Sequence, residues 1–317
     1  MRVFVTGGAG YIGTKVIEKL LENNIKVRCY DSLVFGIDPL HDFMDNSNFE
    51  FTSGDITDYK KVSGSMVDCD TVIHLAAMVF QGGENLKNQI MEVNYNATRN
   101  IADICDKTGL KFIYTSTCSN YGKSKEIVNE NSPLQVNSPY SESKIKSEKY
   151  ISNNYPDALI LRLATGFGLS KKMRFDLIIN ELTREAISKG VITVFNPKAW
   201  RPSLHIEDIA NVIVNSLTKD IKGIYNVGHE SMNYQKGDLC NILKDIIPRL
   251  KINIVKKGDK RNYKVSFDKI KNDLNFKPKR SIHYGAVEIM KAIYKGEIKN
   301  PYDKKYQNLE VYRKYEV

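Results

Sequence analysis

Short apolar runs alternate with longer stretches of helical period through the first half of this chain. Val3-Phe4-Val5 runs into Thr6-Gly7-Gly8-Ala9-Gly10-Tyr11-Ile12-Gly13, and Ile12, Val16, Ile17, Leu20 and Leu21 then fall at helical spacing. Strand, tight turn and helix are thus predicted in succession. Further strands are predicted at Lys26–Tyr30, Phe49–Phe51, Thr71–Ala77, Leu110–Thr115 and Ala158–Leu163. Asn85 to Lys107 reads as a long helix with Ile90, Val93, Ala97, Ile101 and Ile104 along one face, and Ser138-Pro139 opens another. Such alternation implies right-handed crossovers and an α/β fold with a doubly wound parallel sheet. Ligands in these sheets gather at the carboxyl ends of the strands.

After Gly168 the alternation breaks. A helix is predicted from Asp176 to Lys189, a strand at Ile192–Phe195, an apolar helix from Ile209 to Leu217 and a helix from Asp268 to Asn272. Tyr225-Asn226-Val227-Gly228 is placed to return one strand to the main sheet. Lys123 to Asn137 is polar and is expected to loop out over the site, and the last twenty residues read as a peripheral helix or tail. No internal repeat or low-complexity linker is visible.

At 317 residues, 42% apolar and 26% charged, the chain can bury a sizeable core. The net charge of +10 comes from scattered lysines; its denser clusters, Lys256-Lys257 and Lys304-Lys305, lack a nucleic-acid-binding pattern. A solvated surface and a site for an anionic substrate account for the excess. Five cysteines without C-x-x-C spacing point to a reducing, cytoplasmic setting and to no zinc site. Met1-Arg2 leads straight into the first strand, leaving no room for a signal peptide, and no run of eighteen apolar residues would span a membrane.

The glycines at Gly7, Gly10 and Gly13 let backbone approach a ligand closely, and the following helix N-terminus offers N–H groups to a diphosphate. Asp31 stands at the end of the second strand, where a carboxylate accepts both ribose hydroxyls of an adenosine and repels a 2′-phosphate. Ser32 and Leu33 follow, with no Arg beside Asp31, which favours NAD over NADP. Asp55 at the third strand's end can receive an adenine amino group with Ile56 packed on the ring, or simply end the strand. His74 reads as a hydrogen-bonded interior histidine, and Asn94 as either a buried amide tying helix to sheet or a surface residue. Tyr140 and Lys144, four apart, share a helix face after the hydroxyl-rich turn Ser116-Thr117-Cys118-Ser119.

Together these stretches resemble the extended short-chain dehydrogenase/reductase superfamily, in its NAD-dependent sugar-nucleotide epimerase/dehydratase branch. The resemblance rests on TGGAGYIG at 6–13, Asp31, GDITD at 54–58, HLAA at 74–77, YTSTCSNYG at 114–122, YSESK at 140–144, LRLATGFG at 161–168 and RPSLHIEDIA at 201–210. It implies a Rossmann-like NAD domain over 1–168 with a return segment near 205–228. A smaller sugar-nucleotide domain is implied over 169–204 and 229–317. Many members pair as homodimers through the helices near 85–107 and 140–154.

The resemblance casts Tyr140 as the base, Lys144 as its cation and ribose contact, and Thr117 as the hydrogen bond to the reacting oxygen. NAD is expected against Gly7, Gly10, Tyr11, Ile12, Gly13, Asp31, Ser32, Asp55, Ile56, Leu75, Ala76, Ala77, Asn94, Thr115, Tyr140 and Lys144. The substrate is expected against Thr117, Cys118, Thr165, Asn180, Arg201 and Arg261, with the arginines on its diphosphate. Three departures from the family pattern stand out. Cys118 and Ser119 stand where dehydratases carry Asp-Glu, Thr165 where many epimerases have Asn, and Pro202 where Asp is frequent. The first departure disfavours dehydration. A 4-epimerase acting through a 4-keto sugar is the leading expectation. A net 4-dehydrogenase or 4-ketoreductase and a non-catalytic NAD-binding protein are the alternatives.

Overall fold

The computed structural model describes residues 1–80, 84–256, 258 and 261–313. Its apolar runs become parallel strands: β1 Arg2–Thr6, β2 Lys26–Asp31, β3 Phe49–Ser53, β4 Thr71–His74 and β5 Lys111–Thr117. After them come β6 Lys123–Val128, β7 Leu159–Leu163, β8 Thr165–Phe167, β9 Val191–Phe195, β10 Trp200–His205 and β11 Gly223–Val227. The strands end with β12 Asn233–Gln235, β13 Lys251–Val255 and β14 Asn262–Val265.

Seven of them form one sheet in the order β11-β7-β5-β4-β1-β2-β3, every pairing parallel. Alternation along a strand explains why both faces are covered. On β1, Val3 and Val5 enter one core, with Ile17, Leu20 and Ile213, while Phe4 enters the other, with Val72, Ile101 and Phe112. The return of residues 223–227 to the sheet edge, beside β7, is as expected from the sequence. A further core of Ile179, Leu182, Val194, Leu243 and Ala286 joins β9 to later helices.

The helices that shape the site are α1 Gly13–Glu22, α2 Tyr59–Ser65, α3 Lys87–Met91, α4 Ala97–Thr108, α5 Pro139–Asn154 and α6 Ile178–Lys189. Helix α5 starts as its sequence dictates. Ser138 accepts the Ser141 N–H, Ser141 bonds back, and Pro139 fills the first turn. The helix expected over 85–107 is interrupted by a π-helical turn at Glu92–Asn96. There the Asn94 carbonyl accepts from both Thr98 and Ser147, at 2.7 and 2.9 Å.

Two expectations change. Strand β4 stops at His74, so Leu75, Ala76 and Ala77 leave the ladder. Residues 123–128 are a strand rather than loop, paired in parallel with β14. Only Val128 of β6 is buried, so the segment lacks the apolar period that announces a strand, and its partner lies far off in the chain. Of the C-terminal stretch, Asn308–Tyr312 forms a short helix, and 314–317 lie outside the described residues, as do Lys257, Asp259 and Lys260.

Candidate active site

A single cleft of about 1490 Å³ runs along the carboxyl ends of the sheet strands. That exceeds the roughly 300–1,000 Å³ of a one-ligand pocket and has room for two ligands. Gly7, Gly10, Tyr11, Ile12 and Gly13 form its floor at the start of α1. Gly7 holds φ +71°, and a Cβ there would stand 2.6 Å from the Ala76 nitrogen; one on Gly13 would meet the Gly7 oxygen at 2.2 Å. The turn therefore admits only glycine at these positions. No backbone acceptor takes the N–H of Tyr11 or Ile12 among the described residues, so both are open to an anion.

Asp31 is pinned beside this turn by N–H groups from Ala9 at 3.0 Å and Leu33 at 2.7 Å, one on each carboxylate oxygen. Burial pushes its carboxyl above the ordinary range, and the two N–H groups oppose that rise. Each oxygen keeps a further lone pair for a hydroxyl. Ser32, Asp55, Ile56, Leu75, Ala76, Ala77 and Thr115 line the same wall. The residues present thus fit a dinucleotide laid across the strand ends.

Asn94 does not reach the cleft. Its fully buried amide accepts the Met78 N–H at 2.7 Å and donates to the Met78 carbonyl and to Ser143, at 3.0 and 3.2 Å. It is buried as one expectation had it, but it ties the helix to the segment after β4 and to α5 rather than to the sheet, fixing that wall segment from behind. His74 is interior as expected, between the hydroxyls of Thr6 (2.6 Å) and Thr98 (2.9 Å), and burial pushes its imidazole down to about 3, so it stays neutral.

Thr117, Tyr140 and Lys144 come together on the cleft. Thr117 accepts the Ser119 N–H at 3.1 Å and donates to the Ser119 hydroxyl at 2.9 Å. Burial pushes the Tyr140 phenol up to about 12, against the pull of Arg174, Thr117 and Arg261. Lys144 is 3% exposed. Its ammonium donates to the Thr115 carbonyl at 2.9 Å and lies 4.6 Å from the Tyr114 ring centroid. Burial pushes it down to about 7, with Glu148 opposing the fall.

On the opposite wall, Thr165, Arg201 and Arg261 face the cleft, and Arg201 donates to the Arg261 carbonyl. Two expected substrate contacts are not there. Cys118 is 1% exposed and turned inward, its thiol donating to the Arg162 carbonyl at 3.1 Å. Asn180 is fully buried and spends its amide on the Gly168 N–H, the Tyr11 hydroxyl and the Arg174 carbonyl, at 3.0, 2.9 and 2.9 Å. Both amide hydrogens are used, so Asn180 props the wall and cannot donate to a substrate.

Lys172, Arg174 and Asp176 reach the cleft without having been singled out from sequence. Arg174 grips Asp176 with two bonds, at 2.9 and 2.8 Å. The cluster Lys171-Lys172-Met173-Arg174, placed soon after a strand-end turn in a sheet that binds at its strand ends, was the available signal.

Comparison with known proteins agrees with this geometry. UDP-glucuronic acid decarboxylase 6 of Arabidopsis thaliana is 24% identical over 304 residues, 90% of this chain and 86% of that one. A dTDP-glucose 4,6-dehydratase of an Actinoplanes species is 26% identical over 311 residues, 91% and 96% of the two chains. The crystal structure of UDP-glucuronic acid 4-epimerase from Bacillus cereus, in complex with UDP-glucuronic acid and NAD, superposes with a TM-score of 0.83 at 25% identity, covering 93% of this chain and 99% of that one. No described helix is long and apolar enough to cross a membrane. The pattern that defines the NAD dependent epimerase/dehydratase family matches residues 3–228, from the first strand past the returning one, and this chain belongs to that family.

Proposed function

We propose that the protein is a 4-epimerase of nucleoside-diphosphate sugars. Bound NAD supplies a hydride acceptor and, on the return, the donor. Tyr140 takes the proton of the sugar C4 hydroxyl on its phenolic oxygen and gives it back when the other face is reduced. Thr117 hydrogen-bonds the reacting oxygen. Lys144 holds the ribose and adds positive charge near the base, and Arg201 and Arg261 grip the diphosphate. Between the two half-reactions the 4-keto sugar turns its other face to the cofactor wall.

The observation that carries this reading is the cleft wall beside Thr117. Ser119, a hydroxyl, lines it, Cys118 points away, and nearby Asp176 is committed to Arg174. Elimination of water needs an acid and a base of its own. The two residues that follow Thr117 supply no carboxyl for it, and of the other cleft carboxyls Glu181 and Glu185 stand on α6. We also propose that two copies pair through the helices near 85–107 and 140–154, which light scattering tests.

The experiment is incubation with UDP-glucuronic acid, UDP-glucose or dTDP-glucose, with and without added NAD and a hydride acceptor, followed by NMR. A C4 epimer formed without net NADH is expected. A 4-keto-6-deoxy sugar or a pentose overturns the reading. Net NADH with a stable 4-keto sugar replaces it by a 4-dehydrogenase, and NAD binding without turnover by a non-catalytic role.

A further inference from the structure

Lys172 is 5% exposed and lines the cofactor cleft, and among the described residues its hydrogen bond and its ring contact are both to neutral groups, while Asp176, the carboxylate that acts on it, is already paired with Arg174. Its ammonium donates to Asn308 Oδ1 at 2.6 Å and lies 3.8 Å from the Phe35 ring centroid. A buried ammonium bonded to an amide and a ring, with Arg174 opposing it and the one carboxylate in its field shared with that arginine, is costly unless a further anion joins it.

The placement of this amine is built. The Asn308 N–H donates to Asp176 at 3.3 Å and its amide nitrogen to the Val79 carbonyl at 3.0 Å, which leaves Oδ1 turned to Lys172. Tyr312, on the same short helix, packs edge-on to Phe35 at 5.6 Å and against Phe80 at 5.3 Å. The C-terminal segment therefore fixes both the ring and the amide that hold the lysine.

Its neighbours along the chain locate it on the cofactor. Ser170, two residues earlier, donates to the Tyr11 carbonyl at 2.8 Å and bonds Thr14 at 2.9 Å, touching the glycine turn itself. Phe35 lies four residues past Asp31. The amine thus shares one cleft with the glycine turn and Asp31, two residues from a side chain that touches that turn and against a ring four residues past Asp31. We propose that Lys172, presented by Asn308, is a second anchor for the diphosphate of NAD, on the wall facing the glycine turn. The proposal rests on the NAD site and is independent of which sugar reaction follows.

A proton signature follows. Without an anion, burial and Arg174 push Lys172 down to about 7, with Asp176 opposing. Asp31 and Glu310 line the same cleft, as does Lys144, itself pushed down to about 7, and Lys171 is paired with Asp42 outside it. The share that belongs to Lys172 is therefore the part of the proton uptake that Lys172→Met removes and Lys144→Met leaves. A bound diphosphate favours the charged amine, so above pH 7 NAD binding takes up a proton and weakens as pH rises. The diphosphate diester itself has no group that titrates in this range.

The test is calorimetric titration of the full-length protein, freed of nucleotide, with NAD at pH 8 in two buffers of different ionisation enthalpy. Uptake approaching one proton is expected. Lys172→Met should remove most of that uptake, and Lys144→Met should leave most of it. Lys172→Met should also weaken NAD by about 10–100-fold at pH 6.5, while adenosine changes by less than about twofold. Asn308→Ala should show the same preference for NAD loss over adenosine loss, to a smaller degree. Absence of proton uptake by the unmutated protein overturns the proposal, and decides it even if the variants fail to fold. So does a Lys172→Met protein that loses NAD and adenosine alike, since the lysine would then only support the fold.

Discussion

Glu148 and Arg162 form a buried side-on ion pair, with Arg162 Nη2 2.7 Å and Nε 3.0 Å from Glu148 Oε2 and the side chains 3% and 4% exposed. Glu148 follows Tyr140 and Lys144 at two successive intervals of four on α5, so all three share one face. Its other oxygen receives the Asn120 amide at 3.1 Å and the Ser116 hydroxyl. Arg162, on β7, reaches the Tyr121 hydroxyl at 2.8 Å and the Glu130 carbonyl at 3.0 Å. One pair thus clamps the helix that carries Tyr140, the proposed base, to the turn that carries Thr117.

Removing one partner leaves the other charge buried and alone. Glu148→Gln should therefore destabilise the protein by about 3–5 kcal/mol, the usual cost of breaking a buried pair. Urea unfolding measures it, and a loss under about 1 kcal/mol would show that water or a shifted side chain satisfies Arg162 without the carboxylate. The same variant should lower turnover, because the Ser116-Thr117 turn loses its brace.

Asp31 has two tasks, and its replacement separates them. Its carboxylate ties Ala9 of the glycine turn to Leu33, and in the proposed site it repels a 2′-phosphate. Asp31→Ala should lower affinity for NADH while narrowing its lead over NADPH, as read by fluorescence titration with each. Equal affinities for the two in the unmutated protein would contradict the role given to Asp31.

Much of this was legible in the sequence because the parallel sheet and the cofactor wall are local. Val3 to Gly13 is strand, turn and helix in unbroken succession, and every expected cofactor residue except Asn94 reaches the cleft. Asn94 and Asn180 illustrate what was not legible. An amide's position in a motif does not say on which side of a wall its hydrogen bonds are spent, and both sit behind theirs. Cys118 differs from Thr117 and Ser119 only in direction, set by the tight turn after β5. Lys172 and Asn308 are 136 positions apart and meet only because the C-terminal segment folds back over the cleft, a contact no local pattern encodes.

The pH dependence of turnover tests the base and its electrostatics together. Burial raises the Tyr140 phenol to about 12, and Arg174 is the first of the groups that pull it down. In the proposed mechanism the proton acceptor is the phenolate, so the rate should climb with pH, up to about tenfold per unit below the phenol's pKa. Arg174→Gln removes an opposing cation and raises that pKa further. Its rising limb should move to higher pH, with a lower rate at pH 7 that recovers towards the unmutated value at alkaline pH. Tyr140→Phe removes the acceptor itself; turnover should fall by about 10²–10⁴-fold at every pH, with NAD affinity little changed. Lys144→Met should lose cofactor affinity and rate together, and alkaline pH should restore part of the rate. Lys144 is itself pushed down to about 7 in the nucleotide-free protein, so the profiles are measured at saturating NAD, where a change in occupancy cannot imitate a change in the base. A Tyr140→Phe protein of near-normal rate would remove Tyr140 from the mechanism. An Arg174→Gln profile superimposable on the unmutated one would remove Arg174 from the field that acts on the base.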